Sequence, residues 1–447
     1  MQLINYLQKH EPSLTLFSYQ QKESSVESFL SEVKRVRLHF QPELTGKRVC
    51  LKFKNAYEFI VMVAALDGIC SSLLLLPYDL DLDSTNVLSL EHKSIKIINT
   101  LDLSLLKDSS VEYCSLEETL PTKTDWVLAT SGTTGRPKLI THTLASLTRT
   151  CKLLNQSNFN QMIWGLVYQP QRFAGLQVVL QSMLAGNKLI IADGDFRNQV
   201  EALIKGRVNC LSATPSMWRK LLIDGKIKEL NFSQITLGGE ACDKTLLNNL
   251  SVAFSNSRIF HIYASTEAGV GFSVKDKQQG FPKEWLESGI DGVRLKISKA
   301  NTLLIKPNIL PVGIEIKNRL DDNGFIDSGD VVSIEGGRVI FQGRDSGAIN
   351  VGGNKVHPEE VESVLRESKY IRNVKVYSKK NPMIGQLVVA DIELENKTGN
   401  SDELKLIKKK IINSAKEKLE LHKVPNFLTF VDEILINSTG KLDRNND

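Results

Sequence analysis

Apolar and polar positions in the first part of the chain follow two different periods. The run from Arg48 to Phe53 predicts a strand, and the almost wholly apolar run from Ala56 to Leu66 predicts a largely buried helix. A second apolar run, Ser71 to Leu76, predicts a buried strand that ends at Pro77. Strand, helix and strand at this spacing are typical of a parallel crossover unit.

The same alternation continues after residue 140. Lys188 to Ile191 and Cys210 to Ala213 predict strands, and Gln199 to Ile204 between them predicts a helix. Thr143 is placed to cap a further helix. The apolar face of that helix is predicted to consist of Leu144, Leu147, Cys151 and Leu154. We therefore expect an α/β protein with a large N-terminal domain of stacked, mostly parallel sheets and helices.

The composition changes after about residue 344. A lysine-rich segment, Leu404 to Leu419, predicts an amphipathic helix with Ser401 as its cap. Its apolar face consists of Leu404, Ile407, Ile411, Ala415 and Leu419. Strands predicted at Asn373 to Tyr377 and Leu387 to Leu394 complete a small α+β unit. The lysines are interpreted as the solvated face of the helix.

Composition excludes several classes of protein. The 447 residues are 41% hydrophobic and 24% charged, with a net charge of +5, so nothing indicates a nucleic-acid partner. The six cysteines and seven histidines show no zinc-site spacing. The apolar stretch from Phe59 to Leu66 is too short to span a membrane, and the start lacks an export signal. We expect a cytoplasmic protein with reduced thiols.

One stretch carries candidate chemistry. A strand predicted from Trp126 to Ala129 leads into a segment rich in hydroxyl groups and glycine, which ends in a lysine. The segment is Thr130, Ser131, Gly132, Thr133, Thr134, Gly135, Arg136, Pro137 and Lys138. Backbone N–H groups, hydroxyls and an ammonium group together suit a phosphate, although a flexible surface loop has the same composition. Pro137 before the lysine and Leu139 after it exclude the G-x-x-x-x-G-K-[ST] nucleotide loop.

Further motifs follow in a fixed order. They are Gly238-Gly239-Glu240-Ala241, Tyr263-Ala264-Ser265-Thr266-Glu267, Asp327-Ser328-Gly329-Asp330, Gly343 to Gly353 with His357 to Glu362, and Asn437 to Arg444. With the phosphate-loop segment, these motifs resemble the adenylate-forming enzymes, a superfamily of acyl-CoA synthetases, luciferases and peptide-synthetase adenylation domains. The resemblance covers roughly the whole chain.

The resemblance implies a role for each matching position. The loop from Thr130 to Gly135 would hold the phosphates of ATP together with Lys138, and Gly238, Gly239 and Glu240 would line the adenine pocket. Tyr263 would stack on adenine, Thr266 would touch phosphate and Glu267 would help to hold Mg²⁺. Asp330 would accept the ribose hydroxyls, because a carboxylate can accept from both of them. Arg344 belongs to the interdomain hinge, Gly352 and Gly353 would let pantetheine approach the backbone, and Lys441 matches the catalytic lysine.

The resemblance also implies the domain organisation and the reaction. Residues 1–343 would form the N-terminal adenylate-forming domain, and residues 344–447 a small, mobile C-terminal domain that carries Lys441. The expected activity is an ATP-dependent carboxylic acid–CoA ligase that works through an acyl-adenylate.

Within the superfamily, two details resemble o-succinylbenzoate–CoA ligases. His142 lies four residues beyond Lys138, and Pro-Glu-Glu-Val-Glu follows the Gly-Gly loop. His142 could equally be a packed core histidine. Arg172 and Gly175 match positions near the acid pocket, where Arg172 replaces the usual histidine. An inward Arg172 could receive a second carboxylate of an o-succinylbenzoate-like aryl or dicarboxylic acid, whereas an outward Arg172 would pair with a surface acid.

Two other functions remain open from the sequence. An acyl-AMP ligase would load the phosphopantetheine thiol of an acyl carrier protein in place of coenzyme A. A nucleotide-binding homologue without turnover would serve as a sensor or a partner, although Lys138, Glu267, Asp330 and Lys441 favour an active enzyme.

Overall fold

The structure, a computed structural model, describes residues 2–80, 95–101, 123–130, 138–151, 162–266, 269–307, 320–382 and 385–444. The predicted phosphate-loop residues Ser131, Gly132, Thr133, Thr134 and Gly135 lie outside these ranges, and so do Leu154 and Glu267. Within these ranges, no helix combines the length and the apolar character that crossing a membrane requires.

Helices and strands alternate along most of the described chain. The helices are α1 (Leu3–Leu7), α2 (Val26–Leu44), α3 (Ala56–Leu66), α4 (Leu144–Thr148), α5 (Phe173–Leu184), α6 (Phe196–Lys205), α7 (Pro215–Asp224), α8 (Lys244–Ala253), α9 (Trp285–Ser288), α10 (Pro358–Leu365) and α11 (Ser401–Lys418).

The strands are β1 (Thr15–Tyr19), β2 (Lys22–Ser25), β3 (Arg48–Leu51), β4 (Ser72–Leu75), β5 (Lys96–Ile98), β6 (Asp125–Thr130), β7 (Lys138–His142), β8 (Ile163–Leu166), β9 (Lys188–Ile191), β10 (Cys210–Ala213), β11 (Gln234–Gly238), β12 (Arg258–Ser265), β13 (Gly269–Val274), β14 (Phe281–Pro282), β15 (Arg294–Ile297), β16 (Thr302–Lys306), β17 (Ile326–Glu335), β18 (Arg338–Arg344), β19 (Ile349–Val351), β20 (Asn354–Val356), β21 (Ile371–Asn381), β22 (Gly385–Leu394) and β23 (Phe427–Val431).

The predicted crossover unit is confirmed. β3 and β4 are parallel neighbours, with Arg48 opposite Ser72 and Leu51 opposite Leu75, and α3 connects them. The helix begins at Ala56 because the Asn55 side chain accepts hydrogen bonds from the first free backbone N–H groups. Nearly every side chain of α3 is buried, as its uniformly apolar sequence predicts.

Two mostly parallel sheets enclose the main core. One has the strand order β5-β3-β4-β6-β7, and the other has the order β13-β12-β11-β10-β8-β9-β1-β2. Buried residues of both sheets pack on α3 and α5 in a single cluster, so the helices form a layer between the sheets. The prediction of stacked, mostly parallel sheets is confirmed for these two. A third sheet, β14-β18-β17-β16-β15, is antiparallel and was not predicted.

The C-terminal part has its own sheet and core. β21 and β22 form a long antiparallel pair, β19 and β20 extend the sheet beside β22, and β23 pairs with β22 in parallel. The predicted apolar face of α11 packs on this sheet through Ile407, Ile411 and Ala415. The small α+β unit predicted from the sequence is therefore present.

Two predicted helix limits are wrong. Asn400, not Ser401, caps α11, because its side-chain oxygen accepts from the N–H groups of Asp402 at 2.9 Å and Glu403 at 3.3 Å. Thr143 does cap α4, but that helix ends at Thr148, so Cys151 lies beyond it. Helix limits read from short-range signals are therefore uncertain by a residue or more at either end.

Candidate active site

A cavity of about 1500 Å³ lies where the carboxyl ends of parallel strands meet the C-terminal tail. Parallel strands direct their carboxyl ends to one edge of a sheet, so the residues that follow β10, β11 and β12 gather there. The predicted site residues that line the cavity are Lys138, Arg172, Gly238, Gly239, Thr266, Arg344 and Lys441. The fold thus unites most of the motifs that are separated in sequence.

The predicted phosphate loop begins and ends at this cavity. β6 and β7 form an antiparallel hairpin in which Thr130 and Lys138 are opposite each other. Lys138 and Ala129 both line the cavity. The two ends of the predicted phosphate loop therefore lie side by side at the cavity.

A tight turn delivers Lys441 into the cavity. The Asn437 side-chain oxygen accepts from the N–H groups of Thr439 at 2.9 Å and Lys441 at 3.2 Å. Gly440 has a φ of +75°, and its carbonyl accepts a hydrogen bond from the Thr214 hydroxyl. The lysine side chain then passes over Gly239, where a Cβ would stand 3.5 Å from its Cε. Residues of the large domain therefore hold the tail at both sides of the lysine.

Lys441 is half-buried, and its ammonium group has no ion-pair partner among the described residues. Burial lowers the pKa of Lys441 below its ordinary value, although the carboxylate of Glu240 acts in the opposite direction. Transfer of a cation from water is unfavourable unless an anion compensates it. A negatively charged ligand in the cavity would supply that compensation.

Glu240 holds the tail and the first turn of α7. Its carboxylate accepts from the backbone N–H of Ser216 at 2.9 Å and the hydroxyl of Ser216 at 3.0 Å. It also accepts from the N–H of Leu442 at 3.4 Å. The adenine-pocket role implied for Glu240 stays a prediction, and the contacts observed here are structural.

Tyr263 and Asp330 contact each other beneath the cavity. The Tyr263 hydroxyl donates to one oxygen of Asp330, and Arg344 Nε donates to the other at 3.0 Å. The Tyr263 ring is nearly parallel to the rings of Phe272 and Phe341, with centroids 5.3 Å and 5.2 Å away. Burial and Asp330 raise the pKa of Tyr263, so its phenol stays protonated and donates. A ribose that used Asp330 would have to share or displace these donors.

His142 supports the backbone at Thr266. It is buried, and its Nε2 lies 2.9 Å from the Thr266 carbonyl, which can only accept, so Nε2 carries the proton. Its ring packs near Phe173, with the centroids 5.9 Å apart. His142 is therefore a packed histidine that also fixes a backbone segment of the cavity wall.

Arg172 lies in the cavity wall with an acidic partner. Its Nη2 donates to the two oxygens of Asp79 at 2.8 Å and 2.9 Å, and its Nε donates to Gln169 at 3.2 Å. The side chain is only 15% exposed. Asp79 also accepts from the hydroxyl of Ser438, in the turn that carries Lys441. Sequence reasoning missed Asp79, although its position just after β4 was a signal.

Gly175 has a packing reason to be glycine. A Cβ at this position would stand 2.2 Å from the carbonyl oxygen of Gln169 and 3.0 Å from Cα of Pro170. The start of α5 therefore lies directly against the segment that presents Arg172. Phe173 and Ala174 line the cavity, and Gly175 supports it from behind.

Arg149 is a further cation of the cavity wall, and sequence reasoning missed it. Its guanidinium donates to the backbone carbonyl of Val270, and burial lowers its pKa, while Asp291 acts in the opposite direction. In the described part of the chain, no carboxylate lies within ion-pair distance of it. Phe260 and Ile262 lie in the same cavity wall. Arg149 immediately follows α4, where a basic residue resembles an ordinary helix end.

The predicted Gly352-Gly353 pair is not brought to this cavity. Gly352 and Gly353 form an exposed turn between β19 and β20, with φ of +57° and +92°. For the metal, the predicted ligand Glu267 lies outside the described ranges, and the described side chains contain no cluster of three or more metal-binding residues.

Comparison with known proteins identifies the family. The sequence profile of AMP-binding enzymes matches residues 71–303, and the profile of the AMP-binding enzyme C-terminal domain matches residues 360–441. The 2-succinylbenzoate–CoA ligase of Lactococcus lactis subsp. lactis (strain IL1403) is 24% identical over 437 residues, which cover 92% of this chain and 93% of that enzyme. The D-alanine–D-alanyl carrier protein ligase of Staphylococcus aureus (strain MRSA252) is 26% identical over 347 residues, which cover 72% and 70%.

Solved structures have the same fold. The o-succinylbenzoate coenzyme A synthetase of Bacillus subtilis, in complex with ATP and magnesium ion, matches with a TM-score of 0.71 at 19% identity, over 99% of this chain and 98% of that one. The resemblance found in the sequence is thereby confirmed. Because the first profile alone matches more than half of the 447 residues, the chain belongs to the AMP-binding enzyme family, the adenylate-forming ligases.

Proposed function

We propose that the protein is an ATP-dependent acid–thiol ligase that joins a small carboxylic acid to coenzyme A through an acyl-adenylate. The observation that carries this proposal is the ammonium of Lys441, which lines the large cavity and has no carboxylate within ion-pair distance among the described residues. We assign residues 1–343 to the adenylate-forming domain and residues 344–447 to the domain that supplies Lys441.

The proposed chemistry matches the charges of the cavity. In the first step a carboxylate oxygen of the acid attacks the α-phosphorus of ATP, an O–P bond forms, and pyrophosphate leaves. Lys441 would neutralise charge that develops on the transferred phosphoryl group, and Lys138 would hold the phosphates. In the second step a thiolate attacks the acyl carbon and AMP leaves.

Magnesium belongs to the proposal as the ion that accompanies ATP. The Bacillus enzyme named above was solved with both, which supports the same pair here. The one carboxylate predicted to hold the ion, Glu267, lies outside the described residues, so no step is assigned to the metal.

The acid itself is proposed to carry a second anionic group, as an o-succinylbenzoate-like aryl or dicarboxylic acid does. The Lactococcus relative acts on 2-succinylbenzoate, which supports this class. Arg149 suits the second carboxylate better than Arg172, because Asp79 already neutralises Arg172. A guanidinium that lacks an ion pair gains most from an incoming carboxylate.

A second candidate function is loading of a carrier-protein thiol. The similarity to a ligase that charges the D-alanyl carrier protein favours it, since the two thiol acceptors share the same pantetheine end. Supplying coenzyme A and an acyl carrier protein with the same activated acid, in separate reactions, distinguishes the two.

The test of the proposed function is acid-dependent exchange between pyrophosphate and ATP over a panel of aryl, dicarboxylic and plain monocarboxylic acids. We expect exchange with at least one acid, followed by thioester formation when thiol is added. Binding of ATP without exchange for any acid would instead identify a homologue that lacks turnover.

The first prediction concerns the two half-reactions of Lys441→Ala. Adenylation should slow by about two orders of magnitude or more, because charge stabilisation in the transition state is lost. Conversion of a supplied acyl-adenylate to thioester should stay near the wild-type rate. Lys409→Ala, which removes an exposed lysine of α11, is the matched control and should affect neither step. Equal losses in both steps would contradict the assigned role.

The second prediction concerns pH. The ammonium is charged only below its pKa, and burial lowers the pKa of Lys441, so kcat/KM for adenylation should decline at a lower pH than an ordinary lysine would give. In Lys441→Arg the guanidinium stays protonated, so the residual activity should lose this alkaline decline. The same decline in both proteins would show that another group titrates.

The third prediction distinguishes Arg149 from Arg172 as the residue that binds the second carboxylate. Wild type should prefer an acid with a second carboxylate over its monoacid analogue by about 10²-fold in kcat/KM, since the unmatched guanidinium penalises the analogue. Arg149→Met should abolish this preference. Arg172→Met should retain it, while leaving Asp79 unpaired and lowering both rates. If Arg172→Met loses the preference and Arg149→Met retains it, Arg172 binds the second carboxylate and Arg149 does not.

A further inference from the structure

A buried network of charges joins the two domains on the side of the cavity where the tail enters. We call it the interdomain ion network, and it consists of Arg219, Asp243, Glu362, Arg366 and Arg444. Arg219 lies in α7, and Asp243 caps α8. The other members belong to α10, the residue after it and the C-terminal tail.

The contacts form a continuous chain. Asp243 Oδ2 accepts from Arg219 and, at 3.2 Å, from Arg366 Nη1. Arg366 Nη2 donates to Glu362 Oε2 at 3.2 Å. Arg444 Nη2 donates to both oxygens of Glu362 at 2.9 Å. A path of charge-assisted hydrogen bonds therefore runs from the large domain to the tail.

The network is buried where the domains meet. The side chains of Asp243, Arg366 and Glu362 are 7%, 8% and 2% exposed. Burial would raise the pKa of Asp243, but Arg219 and Arg366 outweigh that effect and hold it below its ordinary value. Its carboxylate is thus ionised at neutral pH, and the contacts act as full ion pairs.

Within the network, only the contact between Asp243 and Arg366 crosses from one domain to the other. If the domains separate, Arg219 keeps Asp243, and Glu362 keeps both Arg366 and Arg444. Each half therefore remains paired on its own, and the contact between Asp243 and Arg366 depends on how the domains are docked. This contact can therefore favour the docked arrangement of the domains. When the domains separate, no buried charge is left unpaired.

Arg444 lies three residues after Lys441 in the same tail. Glu362 fixes Arg444, and Glu240 of the large domain accepts from Leu442 at 3.4 Å between them. Movement of α10 relative to α8 would therefore carry the tail away from Gly239. The position of the lysine in the cavity depends on how firmly the two domains are held together.

We propose that Asp243 is a positioning residue for adenylation: through Arg366 and Glu362 it holds the tail so that Lys441 stays in the cavity. The inference rests on the proposed function, in which Lys441 acts in adenylation. It assigns a role to Asp243, which does not line the cavity. The charge of Asp243 favours adenylation over thioester formation.

The test variant is Asp243→Asn. An asparagine still caps α8, because its amide oxygen can accept from the Leu246 N–H, which now donates to Asp243 Oδ1 at 2.9 Å. The negative charge towards Arg219 and Arg366 is lost. Asp195→Asn makes the same chemical change at the exposed cap of α6, whose carboxylate accepts from Asn198, and is the matched control.

In Asp243→Asn we expect adenylation to fall by about tenfold or more, as for the loss of one charge-assisted hydrogen bond. Thioester formation from a supplied acyl-adenylate should stay within about twofold, since a merely damaged fold would slow both steps. Asp195→Asn should change neither step. Equal losses in the two steps, or no loss in either, would overturn the proposal.

A second measurement does not depend on activity. Backbone hydrogen exchange of residues 437–444 should become faster in Asp243→Asn than in wild type, and it should be unchanged in Asp195→Asn. If wild type shows no acid-dependent exchange of pyrophosphate, the proposed function fails, and this measurement still tests the link between Asp243 and the tail. Unchanged protection of the tail in Asp243→Asn would overturn that link.

If Asp243→Asn does not fold, Arg366→Gln tests the same contact from the small domain. The tail should again exchange faster, with the loss confined to adenylation. In the double variant the loss should be smaller than the product of the single losses, because both changes break one contact. Fully independent losses would contradict the coupling.

Discussion

The placement of one ammonium group in the cavity, that of Lys441, depends on the docking of the small domain against the large one. A cation leaves water at a high free-energy cost, which only geometry and neighbouring charges offset. Here the offset comes from the turn at Asn437, from Glu240 and from the pairing of Arg444 with Glu362. The cation is held in the cavity, so the arrangement is suited to binding an anion there.

Other cations of the cavity differ in whether a carboxylate neutralises them. Asp79 neutralises Arg172, and Asp330 neutralises Arg344. Arg149 and Lys441 have no comparable carboxylate partner among the described residues. A reaction between a nucleotide and an acid would bring two anionic groups to the cavity, and we propose that Lys441 and Arg149 receive them.

Local sequence signals predicted much of the fold. The period of apolar residues identified α3, α6, α11 and the strands around them, because burial of one face is a property of neighbouring residues. The same signals placed the cap of α11 at Ser401 instead of Asn400, since either side chain can accept the N–H groups. The antiparallel sheet was missed because its strands pair through contacts that no local period encodes.

The candidate site also combines residues that the sequence predicts with contacts that it does not predict. Ordered motifs predicted that residues such as Lys138, Gly239 and Lys441 would meet, and they line one cavity. The ion pair between Asp79 and Arg172 and the interdomain ion network could not be predicted. They join positions far apart in the chain, and a charged residue alone does not reveal its partner.

The docked arrangement of the two domains is the one proposed to carry out adenylation. Lys220 of α7 and Glu433 of the small domain face each other, with Nζ and Oε1 2.9 Å apart. Cysteines introduced as Lys220→Cys and Glu433→Cys can be joined by a short bis-maleimide, in a background without reactive native thiols. We expect the cross-linked protein still to form acyl-adenylate but no longer to pass it to the thiol. Thioester formation as fast as in the protein before cross-linking would contradict it.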